Sequence, residues 1–136
     1  MWQAAEPVEG LEAGPVPHEE FVRLLAGCRA AVVPLQREVR SAGQQSYLNA
    51  MVLGKPVIVT DAPGVRDYID DGVTGVVVPP APDALRAAIV DLLDPANAEK
   101  YEEMGRRARE WVLANATEEA YKDAILLDAI GLPRER

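Results

Sequence analysis

The chain has 136 residues, enough for one domain with a buried core. Its net charge is −8, with no basic run interleaved with aromatics, which excludes DNA and RNA as partners. Aromatic residues are only 5%, so the core is built from Val, Ile, Leu and Ala, a composition that suits a layered α/β fold.

Cysteine usage narrows the chemistry. Cys28 is the single cysteine and precedes the apolar run Ala30-Ala31-Val32-Val33, so it reads as a buried structural thiol. With His18 as the one histidine, neither a zinc site nor a Cys/His pair is supported. There is no cationic start followed by an apolar run, and no stretch nears the ~18 continuous apolar residues of a membrane span. The expected location is cytoplasmic.

Residues 1–13 read as a loose leader, rich in Glu and Gly, with a short strand over Val8–Leu11. Residues 14–136 form the domain, ending in a helical tail over about 96–130. His18-Glu19-Glu20 opens an amphipathic helix with Phe21, Leu24 and Leu25 on one face. Its early acids lie where the helix dipole favours them. Ala30–Val33 is a buried strand that stops at Pro34, and a polar loop follows, Gln36 to Arg40. Ser41-Ala42-Gly43 leads into a helix over Gln44–Leu53, closed by Gly54.

Pro56-Val57-Ile58-Val59-Thr60 is apolar and β-branched throughout, the pattern of a strand covered on both faces. Asp61-Ala62-Pro63-Gly64 is a turn, Val65–Ile69 a short helix, and Asp70-Asp71-Gly72 a second turn. Gly75–Val78 is a third strand. Helices follow over Pro82–Leu93, Ala96–Ala114 and from Thr117, the last carrying Ile125, Leu126 and Ile130. Tyr101, Met104, Ala108, Trp111 and Val112 share one side of the long helix and read as packing residues. Alternation of strands and helices implies right-handed βαβ units and a partial doubly wound, Rossmann-like parallel sheet of three to four strands. An open sheet edge would favour self-association.

In such sheets ligands sit beyond the carboxyl ends of the strands. Two loops leave adjacent strands there, Pro34–Gly43 and Thr60–Gly64, and should line one rim. The first enters its helix through Ser41-Ala42-Gly43-Gln44-Gln45-Ser46. Small residues admit a ligand close to the backbone, and helix-start N–H groups favour phosphate. Ser41, Gln44, Gln45, Ser46 and Asn49 add neutral hydrogen-bonding groups, with Gln45 and Asn49 one turn apart. Spacing alone equally allows Ser41 to be a simple helix cap. Asp61 reads as a turn residue at the rim, and Asp70 and Asp71 as turn carboxylates rather than a metal site.

Ser41-Ala-Gly-Gln-Gln-Ser-Tyr-Leu-Asn-Ala-Met-Val-Leu-Gly-Lys-Pro-Val-Ile-Val-Thr-Asp61 resembles the core signature of retaining group 1 (family 4) glycosyltransferases of the GT-B type. Its continuation through Asp71-Gly-Val-Thr-Gly-Val-Val-Val-Pro79 does too, as does Gly14-Pro-Val-Pro-His-Glu-Glu-Phe upstream. The usual family form is Glu-x7-Glu-Ala-Met-Ala-x-Gly-x-Pro-Val-Ile. The resemblance implies a sugar transferred from a nucleoside-diphosphate donor with retention, and no metal or other cofactor. The family's first glutamate, near the donor sugar, aligns with Ser41, and its second, on the ribose hydroxyls, with Asn49. Both carboxylates are therefore replaced here. Ser41 is the one catalytic candidate, and Ala42, Gly43 and Gln44 occupy the stretch whose backbone contacts the donor.

The family's donor-diphosphate cations and its N-terminal domain, which takes a carbohydrate or lipid-linked acceptor, have no counterpart in this sequence. The isolated chain is therefore expected to be inactive. Arg37 and Arg40 read as solvated loop charges. Ser-Ala-Gly-Gln-Gln with Leu-Gly-Lys-Pro also resembles the phosphate loop of GT-B sugar-nucleotide epimerases. A non-catalytic binding or assembly module is the remaining alternative.

Overall fold

The computed structural model describes residues 9–10, 14–36 and 43–125. The elements in chain order are α1 (His18–Gly27), β1 (Ala31–Val33), α2 (Gln44–Val52), β2 (Val57–Thr60), β3 (Val76–Val78), α3 (Pro82–Leu93), α4 (Ala98–Asn115) and α5 (Glu118–Asp123). Short 3-10 turns occupy Val65–Asp67 and Pro95–Asn97, so the long helix starts at Ala98. The expected strand over Val8–Leu11 lies largely outside the described residues, as do Leu126 and Ile130.

β1, β2 and β3 form a parallel sheet in that order, with Val32 opposite Ile58 and Val59 opposite Val77. Every residue of β2 is buried, as a central strand covered on both faces requires. Its alternation divides the core in two. Val57 and Val59 join Leu25, Tyr47, Met51, Val65, Ile69, Ala108 and Val112 on one face. Ile58 joins Val78, Leu92, Tyr101 and Met104 on the other. The long helix α4 thus serves both clusters, Tyr101 and Met104 reaching one and Ala108 and Val112 the other.

Two expectations on packing change. Leu24 is 52% exposed, so α1 packs through Phe21 and Leu25, with Leu24 turned off that face. Cys28 is only half-buried, its thiol donating to Leu25 O at 3.1 Å, and remains a structural group. No helix among the described residues is long and apolar enough to cross a membrane.

α2 ends in a Schellman motif: Gly54 N donates to Met51 O at 2.9 Å and Lys55 N to Ala50 O at 3.0 Å. Gly54 takes φ 70°, a left-handed conformation that glycine adopts without strain. This closure drops the chain directly into β2.

The contact of α3 with α4 is polar as well as apolar. Asp91 accepts from Tyr101 Oη at 2.6 Å, Lys100 Nζ at 2.8 Å and Asn97 Nδ2 at 3.0 Å. Tyr101 is therefore a packing residue that also carries a polar tie. The Lys100 bond first, then that of Tyr101, holds the Asp91 carboxyl below its ordinary value. A lowered folded-state value stabilises the fold above the unfolded aspartate pKa, and the benefit is lost as pH falls below it. Asp91→Asn should therefore unfold at lower urea than the parent chain at neutral pH. The gap should close as pH falls through the lowered folded-state value of Asp91, where the parent's carboxylate is protonated as well.

Candidate functional site

The carboxyl ends of the strands form the rim expected from the sequence. β1 runs through Pro34 to Leu35, and there the two rim loops meet. The Thr60 hydroxyl accepts from Leu35 N at 2.6 Å and donates to Leu35 O at 2.7 Å. Thr60 is 4% exposed, so this pair of hydrogen bonds is anchored from the buried end of β2. Leu35 in turn packs beneath Gly43, where an added Cβ would lie 2.7 Å from Leu35 Cδ2 and 3.3 Å from Val33 Cγ1.

Gly43, not Ser41, is the capping residue of α2, because the helix starts at Gln44. Gly43 takes φ 77° and ψ 0°, a left-handed conformation open to glycine. Its carbonyl accepts from Ser46 N at 3.0 Å and Tyr47 N at 3.2 Å. The earlier N–H groups, of Gln44 and Gln45, have no intrahelical acceptor. Among the described residues no side chain caps this end, and the first turn carries no acid. Nothing on α2 itself therefore opposes its positive pole, and an anion placed there gains roughly 0.3–2 kcal/mol.

The named site residues fall into groups. Ser41 and Ala42 lie outside the described residues, with Arg37 and Arg40. Gly43, Gln44 and Gln45 share the helix start, with Gln44 half-buried and Gln45 exposed. Asn49 sits one turn on and is half-buried, its Nδ2 enclosed and without a partner among the described residues. Gln45 and Asn49 therefore differ in exposure, although they are one turn apart.

Tyr47 is fully buried, its hydroxyl likewise unpartnered among the described residues. Burial, then Tyr68 and Asp67, pushes its pKa up to about 12, so it stays a neutral phenol. Its ring packs 6.0 Å from Tyr68, which stands edge-on to Trp111 at 6.2 Å. This aromatic stack braces α2 against α4, and Trp111 is a packing residue as expected.

Asp61 ends β2 with its N–H donating to Val78 O at 2.7 Å, joining the exits of β2 and β3. Its carboxylate accepts from Arg66 Nη2 at 3.0 Å. No sequence motif marks Arg66; its only signal is its spacing from Asp61 across the Pro63-Gly64 turn. Asp71 Oδ1 accepts from Val77 N at 2.8 Å, and Asp70 N donates to Thr74 Oγ1 at 2.9 Å. The Asp71 carboxylate is thus occupied in the turn, while Asp70 is tied in through its backbone. Among the described residues no group of three or more His, Cys, Asp or Glu could hold a metal ion.

A parallel sheet with helices on both faces, and a glycine-started helix at its carboxyl rim, is a Rossmann-like half-domain. The chain belongs to the family described as glycosyl transferases group 1, whose model matches residues 13–111. Among solved structures it is similar to sucrose-phosphate synthase from Thermosynechococcus elongatus, at 27% identity and a TM-score of 0.70. That match covers 87% of this chain and 29% of the synthase chain. The fold is also shared with Anabaena HepE, whose structure was determined in complex with UDP and glucose. There the identity is 16%, the TM-score 0.63, and the coverage 84% of this chain and 30% of the other. The chain thus spans less than a third of either protein. No curated protein matches it.

Proposed function

We propose that the chain forms the donor-binding part of a retaining glycosyltransferase, holding a nucleoside-diphosphate sugar at the start of α2. The observation that carries this reading is the acid-free helix start behind the left-handed Gly43, uncapped among the described residues, at the carboxyl rim of the sheet. Gly43, Gln44 and Gln45 hold the diphosphate, and the family resemblance adds Ser41 and Ala42, with Ser41 as the one catalytic candidate. Asn49, whose Nδ2 has no partner among the described residues, offers its amide to a ribose hydroxyl. The helix-start N–H groups stabilise the charge that develops on the departing diphosphate. The site takes no metal or other cofactor.

A carbohydrate or lipid-linked acceptor is brought by a further domain, so the isolated chain binds donor without transferring sugar. The protein works in the cytoplasm.

Calorimetric titration with UDP, GDP and their glucose and mannose conjugates tests this reading. Binding of at least one diphosphate is expected. Gly43→Ala should weaken it about tenfold, because the new Cβ strains the left-handed turn and displaces the helix start. A folded chain that binds none of these compounds would rule the reading out.

A further inference from the structure

Beside the α2 start, the loops leaving β2 and β3 enclose a second concavity. It is a cleft of about 520 Å³ whose lining includes Asp61, Pro63, Arg66, Asp67, Pro79 and Pro80. Its chemistry differs from that of the helix start. Gly64 turns the chain at φ 84°, and Arg66 comes back onto Asp61. Arg66 Nε and Nη2 both donate to Asp61 Oδ2, at 3.3 and 3.0 Å. Asp61 Oδ1 and Arg66 Nη1 take no part in these two bonds. The two side chains are 42% and 58% exposed, so an acceptor and a donor face the solvent as an oriented pair.

The charge balance selects the ligand. Asp61 and Asp67 stand against the single guanidinium of Arg66, so the lining is net negative and disfavours phosphate. A neutral polyol is favoured, since each hydroxyl both donates and accepts. The rings of Pro63, Pro79 and Pro80 supply apolar surface for the C–H faces of a pyranose. The pair is also held from behind, because the Asp61 N–H is fixed to Val78 O.

We propose that this cleft binds the hydroxyls of a neutral sugar, Asp61 Oδ1 accepting from one and Arg66 Nη1 donating to its neighbour. Its link to transfer rests on the donor reading above, which puts the diphosphate at the adjoining α2 start. The sugar comes from one of two sources, the glycosyl group of the donor or the acceptor.

The test uses the full chain and its Arg66→Ala and Asp61→Ala variants, whose folding is checked by thermal unfolding. Two measurements are made. One is the affinity for UDP and GDP against their glucose and mannose conjugates. The other is the shift of the Ala62, Gly64 and Arg66 amide resonances on adding free glucose, galactose or mannose at millimolar concentration.

If the donor's sugar lies here, both variants lose about tenfold affinity for a conjugate and none for the bare diphosphate. If the acceptor's sugar lies here, a free sugar shifts the Ala62 and Gly64 resonances, and the variants abolish the shift without changing donor affinity. The proposal is overturned if conjugate and diphosphate respond alike in the variants and no free sugar shifts these amides. Failure of every diphosphate to bind would remove the donor reading alone, since the resonance shifts still decide the cleft.

Discussion

Gly105→Ala should destabilise the chain by about 2–3 kcal/mol, lowering its midpoint in thermal unfolding by on the order of 5–10 °C. An alanine inside a helix normally gains about 1 kcal/mol over glycine, so the expected sign opposes propensity. The reason is the crossing of α4 over the end of α2. A Cβ on Gly105 would overlap the Gly54 carbonyl oxygen and lie 3.0 Å from its carbonyl carbon and 3.3 Å from Pro56 N. These are backbone atoms held by the Schellman closure and by the entry into β2, so they cannot rotate aside. The two helices must part instead, loosening Met51, Ala108 and Val112 in the shared core. A neutral or stabilising result in urea or thermal unfolding would mean that α4 does not lie so close.

Thr60→Val should cost about 2 kcal/mol and weaken diphosphate binding together with stability. Valine keeps the shape and β-branching, so the strand itself is undisturbed. What is lost is the hydroxyl that serves both Leu35 N–H and Leu35 C=O. Two backbone groups lose their partner in a part-buried position, at a typical 1 kcal/mol each. Leu35 also supports Gly43, so its release lets the helix start drift. Chemical unfolding gives the stability change, and calorimetry with UDP or GDP gives the binding change. Thr60→Ser keeps the hydroxyl and should restore most of the binding. Equal loss in the Ser and Val variants would show that the hydroxyl does not position the rim.

Most of the element order was legible because each signal is local. The unbroken β-branched run Val57–Thr60 marks a doubly covered strand, and Gly54 marks the end of α2. Pro82 marks the start of α3, where it occupies the first helical position. The same holds for the site's central turn: Gly43 between two small residues and two glutamines points to a helix start open to a ligand. What was misjudged involved facing or capping. Leu24 fits the helical period with Phe21 and Leu25, but which part of the stripe is covered depends on where α1 meets α2 and the sheet. Ser41 is a sound cap by residue type, yet the left-handed turn puts that position at Gly43.

The sequence by itself determined the α/β class, the parallel order and the location of the glycine turn that starts α2. Periodicity, β-branching and glycine placement act over a few residues and need no partner. Only the tertiary structure decided how the rim is held and what flanks it. The Thr60–Leu35 bonds, the Asp61–Arg66 pair in its cleft, the Asp91 cluster and the Gly54–Gly105 approach join residues whose contact depends on how whole elements dock. No local preference encodes that docking; it follows from burying both faces of β2 at once.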